Sequence, residues 1–319
     1  MKTIKRFTKI RLFRDYVTPR EQKKALDELI IPKAGGRYFY VNKNGNDSND
    51  GLSPETAFLT IQKAIDESSS YSTIFVGEGT YIENINIPVS SEVSLIGAMK
   101  ETTIITPETS SDTITCNANN FKISNFTIKS TGSAYSAFKS SEVDYLVLTK
   151  LKIESSSGNT IGINIHKSRW SYITEIESTG STMQPSISIT GPSGSESEFN
   201  IIHNCYFDGI KYAIWLGAYS RYNIISNNWF LNSTSQAIWL QNASLSNYIF
   251  HNIFIDNYSN AQNDGSVSNI FFENHYNDYT TDSNDDGLCD SSYSIPGSAG
   301  SYDYKPVSYP YAWLSAFHR

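Results

Sequence analysis

The sequence predicts an all-β protein: a single-stranded, right-handed parallel β-helix of about ten turns, with an N-terminal capping helix and a basic N-terminal arm. Three observations predict it. Asn200-Ile-Ile-His-Asn-Cys-Tyr-Phe207, followed by Ala213-Ile-Trp-Leu216, recurs as Asn223-Ile-Ile-Ser-Asn-Asn-Trp-Phe230, followed by Ala237-Ile-Trp-Leu240, at offsets of 23 and 24 residues. One position of that frame lines up as Phe126, Leu151, Ile176, Cys205, Asn228, Asn252 and Asn274, with steps of 25, 25, 29, 23, 24 and 22. Between these positions lie short alternating segments separated by Asn, Ser and Gly. That pattern cannot form a helical repeat and fits β-helix turns, each buried only by its neighbours.

Charge separates the arm from the body. Residues 1–33 hold ten Lys or Arg against four Asp or Glu, and residues 34–319 hold fifteen against twenty-eight, giving +6 and −13. An acidic body argues against nucleic acid as a partner, which would need a basic stripe. No run of 18 apolar residues is present to cross a membrane, and the N-terminus lacks the apolar core and small-residue cleavage site of a secretion signal. Within the arm, residues 1–36, Thr18-Pro19-Arg20-Glu21 reads as a helix N-cap, followed by Ala25, Leu26, Leu29 and Ile30 on one stripe. That helix would dock on its own body, or residues 1–33 would attach the protein to a larger assembly or an acidic surface.

The body follows in order. Tyr38–Val41 reads as a strand, NKNGNDSNDG as a turn-rich loop, and residues 57–68 as the capping helix, with Phe58, Ile61, Ala64 and Ile65 on one face. The rod then runs over residues 37–275, about 45 Å at roughly 4.8 Å per turn. Asn228, Asn252 and Asn274 would stack as an amide ladder, each satisfying backbone groups and the next amide. Phe126, Leu151 and Ile176 make the same position aliphatic in earlier turns. Residues 276–319 close the far end.

YFYVNKNGNDSNDGLSPETAFLTIQKAID resembles the N-terminal module of β-helix proteins of the pectate-lyase-like superfamily, including phage tailspikes and bacterial or archaeal surface proteins. The repeats over residues 120–275 resemble the carbohydrate-binding and sugar-hydrolase family that includes NosD-like proteins, and the segment from Asn277 onward resembles their C-terminal tail. Residues 37–310 are covered by the resemblance, which implies the fold strongly and function weakly.

Asp282-Ser-Asn284-Asp-Asp286-Gly287-Leu288-Cys-Asp290 has the ligand spacing of an EF-hand-type loop, with oxygen donors at positions 1, 3, 5 and 9, Gly at 6 and a backbone carbonyl at 7. Tyr293 stands where the usual Glu would be, so a structural Ca²⁺ site would borrow Asp278, Asp303 or water; the alternative is an acidic turn. Cys116, Cys205 and Cys289 are too scattered for a disulfide framework. His203, His251 and His275 fall in separate turns without thiolate or thioether partners, which does not support copper handling.

Strand alternation turns Trp215 and Trp239 outward, one turn apart. Their column runs back through Ser188, Asn164, Lys139 and Thr115. A second outward column runs Thr127, Lys152, Glu177, Tyr206, Trp229, Ile253 and His275. Trp215, Trp239, Tyr206 and Trp229 beside Asn164 and Ser188 are what a sugar-binding face needs, flat apolar rings bordered by polar groups; the alternatives are burial under a loop or against a sister subunit.

Catalytic signals are thin. Lys152 and Glu177 would form an exposed ion pair, and Asp208 and Asp256 lie about two turns apart, out of register. Gly79-Thr-Tyr81-Ile-Glu83 resembles an early pectin-methylesterase motif, but that family's Gln and paired Asp motifs are absent. The expected function is therefore a carbohydrate-binding surface or virion-attached protein recognising polysaccharide or a cell-surface glycan. A polysaccharide lyase or glycoside hydrolase is the alternative and a purely structural rod the third. A homotrimer and a cytoplasmic location stay open.

Overall fold

A computed structural model describes residues 36–310 apart from 133, 157, 181, 182 and 242. The helix expected in the arm lies outside the described residues. Over the rest, the chain winds as a three-sided parallel β-helix. On the first side, Thr73–Val76, Ser94–Gly97 and the opening halves of Lys122–Ser130, Val147–Ser155 and Tyr172–Thr179 lead to Ile201–His203, Ile224–Ser226, Tyr248–Phe250 and Ile270–Phe272, all parallel. Closing halves of the three long strands continue the second side into Tyr206–Asp208, Trp229–Leu231, Ile253–Ile255 and His275–Tyr276. The third side is an eight-stranded sheet from Ile85–Ile87 to Ser259–Asn263.

Those eight strands mark eight complete turns, fewer than the ten expected. Both ends explain the difference. Tyr38–Val41 pairs in register with Thr73–Val76, but the chain between them spends its length on a loop and a helix instead of two further strands. At the other end it leaves the winding after the second side, at Tyr276. At roughly 4.8 Å per turn the eight turns span about 38 Å.

Alternation builds the core. Ile74, Leu95, Ile123, Leu148, Ile173, Ile202, Ile225 and Ile249 form one inward file on the first side, all fully buried. On the second side Phe207, Phe230, Phe254 and Tyr276 stack at 5.3, 5.0 and 5.2 Å, and Tyr293 closes the file on Tyr276 at 3.8 Å. Each such ring contributes about 1.5–3 kcal/mol by leaving water. From the third turn on, the corner between first and second sides is turned by one left-handed residue per turn: Asn125, Lys150, Glu175, Asn204, Asn227, His251 and Glu273, with φ of 52–63°.

Immediately after that corner runs the expected ladder. The backbone N–H and the Nδ2 of Asn228 both donate to Asn252 Oδ1, at 3.1 and 3.0 Å, and Asn252 does the same to Asn274 at 3.0 Å. Asp303 ends it, its Oδ2 accepting from Asn274 N and Nδ2 at 3.1 and 2.9 Å. A second ladder of the same design, Asn200, Asn223, Asn247 and Asn269, runs along the corner between third and first sides, at 3.0 Å per bond.

The capping helix, α1, spans Ile61–Asp66 rather than 57–68. Thr60 is extended (φ −112°, ψ 147°) and acts as N-cap, while Phe58 bridges to Val41 in β conformation. Ile61, Ala64 and Ile65 are buried. Glu83 accepts from the backbone N–H groups of Ile61 and Gln62 at 3.0 and 2.9 Å, and Asp47 accepts from the N–H groups of Leu59 and Thr60. The segment Gly79–Glu83, which looked like part of an enzyme motif, thus supplies a helix cap. At the far end Tyr293–Ile295 pairs antiparallel with Ser301–Asp303, which lies against Phe271.

Candidate functional site

The outward file of the third side has the expected register. Thr115, Lys139, Asn164, Ser188, Trp215 and Trp239 are successive partners, extended to Asn86 and Gln262. The indoles of Trp215 and Trp239 stack at 5.8 Å and 13°. Tyr212 tilts against Trp239 at 5.4 Å, with Lys211 Nζ 5.2 Å above the tyrosine ring. Trp239 Nε1 donates to Asp264 Oδ2 at 3.0 Å, Gln262 Nε2 donates to the same oxygen at 2.6 Å, and Gln236 Nε2 donates to Gln262 Oε1 at 2.7 Å. Burial works to raise the Asp264 pKa, but the bonds from Trp239, the Ser298 amide and Gln262 outweigh it and hold the carboxyl below its usual range. Trp215 Nε1 has no hydrogen-bond partner among the described residues. The result is a half-buried aromatic group rimmed by amides and a carboxylate.

Ser188 keeps its place in the file but is only 1% exposed, too short to emerge between its neighbours. Asn164 is half-buried. The second file is also in register, from Thr127 through Lys152, Glu177, Tyr206, Trp229 and Ile253 to His275. Tyr206 and Trp229 are half-buried, whereas Thr127, Ile253 and His275 are buried rather than exposed. The C-terminal segment contributes to His275's burial, through a bridge to Val307.

Lys152 and Glu177 do not pair with each other. Lys152 binds Glu154 at 2.9 Å and Glu177 binds Lys100 at 2.8 Å. Asp208 and Asp256 stay out of register, and each accepts from an asparagine amide of the next turn, Asn232 at 2.8 Å and Asn277 at 2.7 Å. Those contacts tie the carboxylates to the corner rather than to a shared site.

In the acidic loop, Asp282 accepts from the N–H groups of Asp286 and Gly287 and from Ser308 Oγ, Asp286 Oδ1 accepts from the Leu288 N–H, and Asp290 accepts from the Ser283 N–H. Asn284 Nδ2 donates to Asp286. Among the described residues no three His, Cys, Asp or Glu side chains are grouped to hold a metal ion.

The sequence reading missed one aromatic file. Tyr145, Trp170, Phe199 and Tyr222 occupy the corner between third and first sides, all left-handed (φ 55–65°), with Trp170–Phe199 at 4.2 Å and Phe199–Tyr222 at 5.3 Å. Its steps of 25, 29 and 23 are those of the main frame, a signal hidden because no two of the first three residues are identical. The Trp170, Phe199 and Tyr222 rings lie within 6–10° of parallel.

A family model described as periplasmic copper-binding protein (NosD) matches residues 61–288. The chain belongs to the NosD family. Among solved structures, pectate lyase Pel9A is similar over 87% of this chain and 79% of its own, at 13% identity and a TM-score of 0.60. A rhamnogalacturonan lyase is similar over 75% and 74%, at 12% and 0.57. Pectin methylesterase PemA from Erwinia chrysanthemi covers 76% and 90%, at 12% and 0.52. At such identities the likeness establishes the pectate-lyase-like fold alone. No curated protein sequence matches the chain.

The copper in the family's description finds no fitting donor set among the described residues. His203 Nδ1 faces Ser226 Oγ at 3.1 Å, His251 Nε2 lies 2.8 Å from Glu273, and His275 Nδ1 lies 3.2 Å from the Val307 carbonyl. Cys205 is buried in the core, and burial raises its thiol pKa to about 12, far from the thiolate a copper ligand requires.

Proposed function

We propose that this NosD-family chain is a carbohydrate-binding β-helix protein acting outside the cytoplasm, with the third-side aromatic group as its contact with polysaccharide. One observation carries the reading: Trp215, Trp239 and Tyr212 form an outward cluster at 5.4–5.8 Å, edged by Gln236, Gln262 and Asp264. Apolar ring surface next to amide and carboxylate groups meets the two demands of a pyranose, an apolar face and a rim of hydroxyls. The names of the structural neighbours, two of them lyases and one a pectin methylesterase, support a polysaccharide as ligand. "Periplasmic" in the family description supports the location. The basic segment 1–33 would serve attachment to a larger assembly.

A glycan array tests this. Wild-type protein is expected to bind a restricted set of glycans, and the Trp215→Ala, Trp239→Ala double variant to lose them. Retention of the full binding pattern by a folded double variant would remove the proposal. Release of reducing ends or unsaturated sugars from a polysaccharide panel would instead favour an enzyme. Calcium at Asp282, Asn284, Asp286, Leu288 and Asp290 is proposed on ligand spacing alone, and it requires the side chains to converge from their present bonds. Millimolar Ca²⁺ should then raise the melting temperature and a chelator reverse it; no change would remove the metal.

A further inference from the structure

Two cavities meet at Ala98, near the N-terminal end of the winding. One, about 370 Å³, is walled by Tyr40, Phe75 and Ile96, register partners on three adjacent strands of the first side. The Tyr40 and Phe75 rings stack at 5.7 Å. The other, about 320 Å³, is lined by Asn125, Lys150 and Glu175, the corner residues of three consecutive turns. Both are open depressions on the surface, and together they set an apolar wall beside a polar one.

The identity of the corner residues has no backbone explanation. From the third turn on, each of these corners takes a left-handed residue, and Asn adopts that conformation most readily after Gly. Asn fills the corner at 125, 204 and 227. His251 and Glu273, which take the corner in the last two turns, bind each other at 2.8 Å. The side chains of Asn125, Lys150 and Glu175, the last two at φ 53°, make no hydrogen bond or ion pair among the described residues. Three successive turns therefore aim an amide, an ammonium and a carboxylate, all without protein partners, into one cavity.

We propose that this cleft is a second binding site, for an uncharged ligand of one or two pyranose rings. An apolar ring face would lie on Phe75 and Tyr40. Hydroxyl groups, which both donate and accept, would meet Lys150 as donor, Glu175 as acceptor and Asn125 as both. Lys100 and Glu101 line the same cavity, Lys100 being held by Glu177 at 2.8 Å, so the lining carries two cations and two carboxylates and has no net preference for an anion or a cation, which favours a neutral sugar. The site shares the carbohydrate reading given above but none of its residues.

Ligand-observed NMR titration of the full chain with the methyl glycosides of glucose, galactose, mannose and N-acetylglucosamine tests it. At least one is expected to bind. Lys150→Ala with Glu175→Ala should weaken that binding about tenfold or more, the loss of hydrogen bonds to charged groups. Trp215→Ala with Trp239→Ala should leave it unchanged. Should the Lys150, Glu175 double variant fold poorly, Lys150→Gln alone, at an exposed position, should still weaken binding. Absence of binding by any of the four glycosides, or equal affinity in the folded cleft variants, overturns the cleft. Array binding that still depends on Trp215 and Trp239 would then leave the third-side reading standing.

Discussion

The two halves of the rod solve one geometric problem in opposite ways. Just after the first corner, turns three to five bury Phe126, Leu151 and Ile176, while the last turns bury Asn228, Asn252 and Asn274. The apolar half gains dispersion by burying these three side chains. The amide half links turn to turn through bonds of about 3 Å. The winding does not dictate the chemistry of its stack, provided that each file is consistent from turn to turn.

Exchanging the two solutions gives the largest expected effects. Leu151→Asn would place an unpartnered amide between Phe126 and Ile176, and Asn252→Leu would strip acceptors from Asn228 and a donor from the Ile225 carbonyl. Each should cost roughly 3 kcal/mol in denaturant unfolding. A loss below about 1 kcal/mol for Asn252→Leu would mean that the ladder holds nothing together.

Next comes pH. Turns one and two contain no histidine, whereas His203 lies buried in the sixth, where burial pushes its pKa from 6.5 down to about 4. The folded state keeps this ring neutral, so below pH 6.5 the unfolded chain takes up more protons. Stability is therefore present above the unfolded value and is lost as pH falls from about 6.5 towards about 4, by about 3 kcal/mol. Melting temperature followed across that window should fall in wild type and flatten in His203→Gln; parallel curves would show that another group is responsible.

A smaller effect is expected at the N-terminal cap. Glu83→Ala removes the acceptor for the Ile61 and Gln62 N–H groups and should cost about 1–2 kcal/mol, read as a lower denaturant midpoint. An unchanged midpoint would show that Asp47 and Thr60 hold α1 by themselves.

Much of this architecture was legible in the sequence because side-chain direction alternates strictly along a strand. Once Asn200 and Asn223 were aligned, every member of both outward files followed in register. The second ladder was equally present in that motif, at its first Asn, but nothing local distinguishes an inward amide from a turn residue. The number of turns was overestimated because one strand at Tyr38–Val41 looks like the start of a full turn, and only the placement of α1 shows that the other two sides are missing there. Glu83 illustrates the limit for function: its role is set by a helix 21 or 22 residues earlier, a distance at which motif resemblance says nothing about contact.

The direct test of the carbohydrate account is calorimetric titration of an oligosaccharide selected on the array into wild-type protein and into the Trp215→Ala, Trp239→Ala variant. The account predicts saturable binding by wild type and a loss of about tenfold or more in the folded variant. Equal affinities would contradict it.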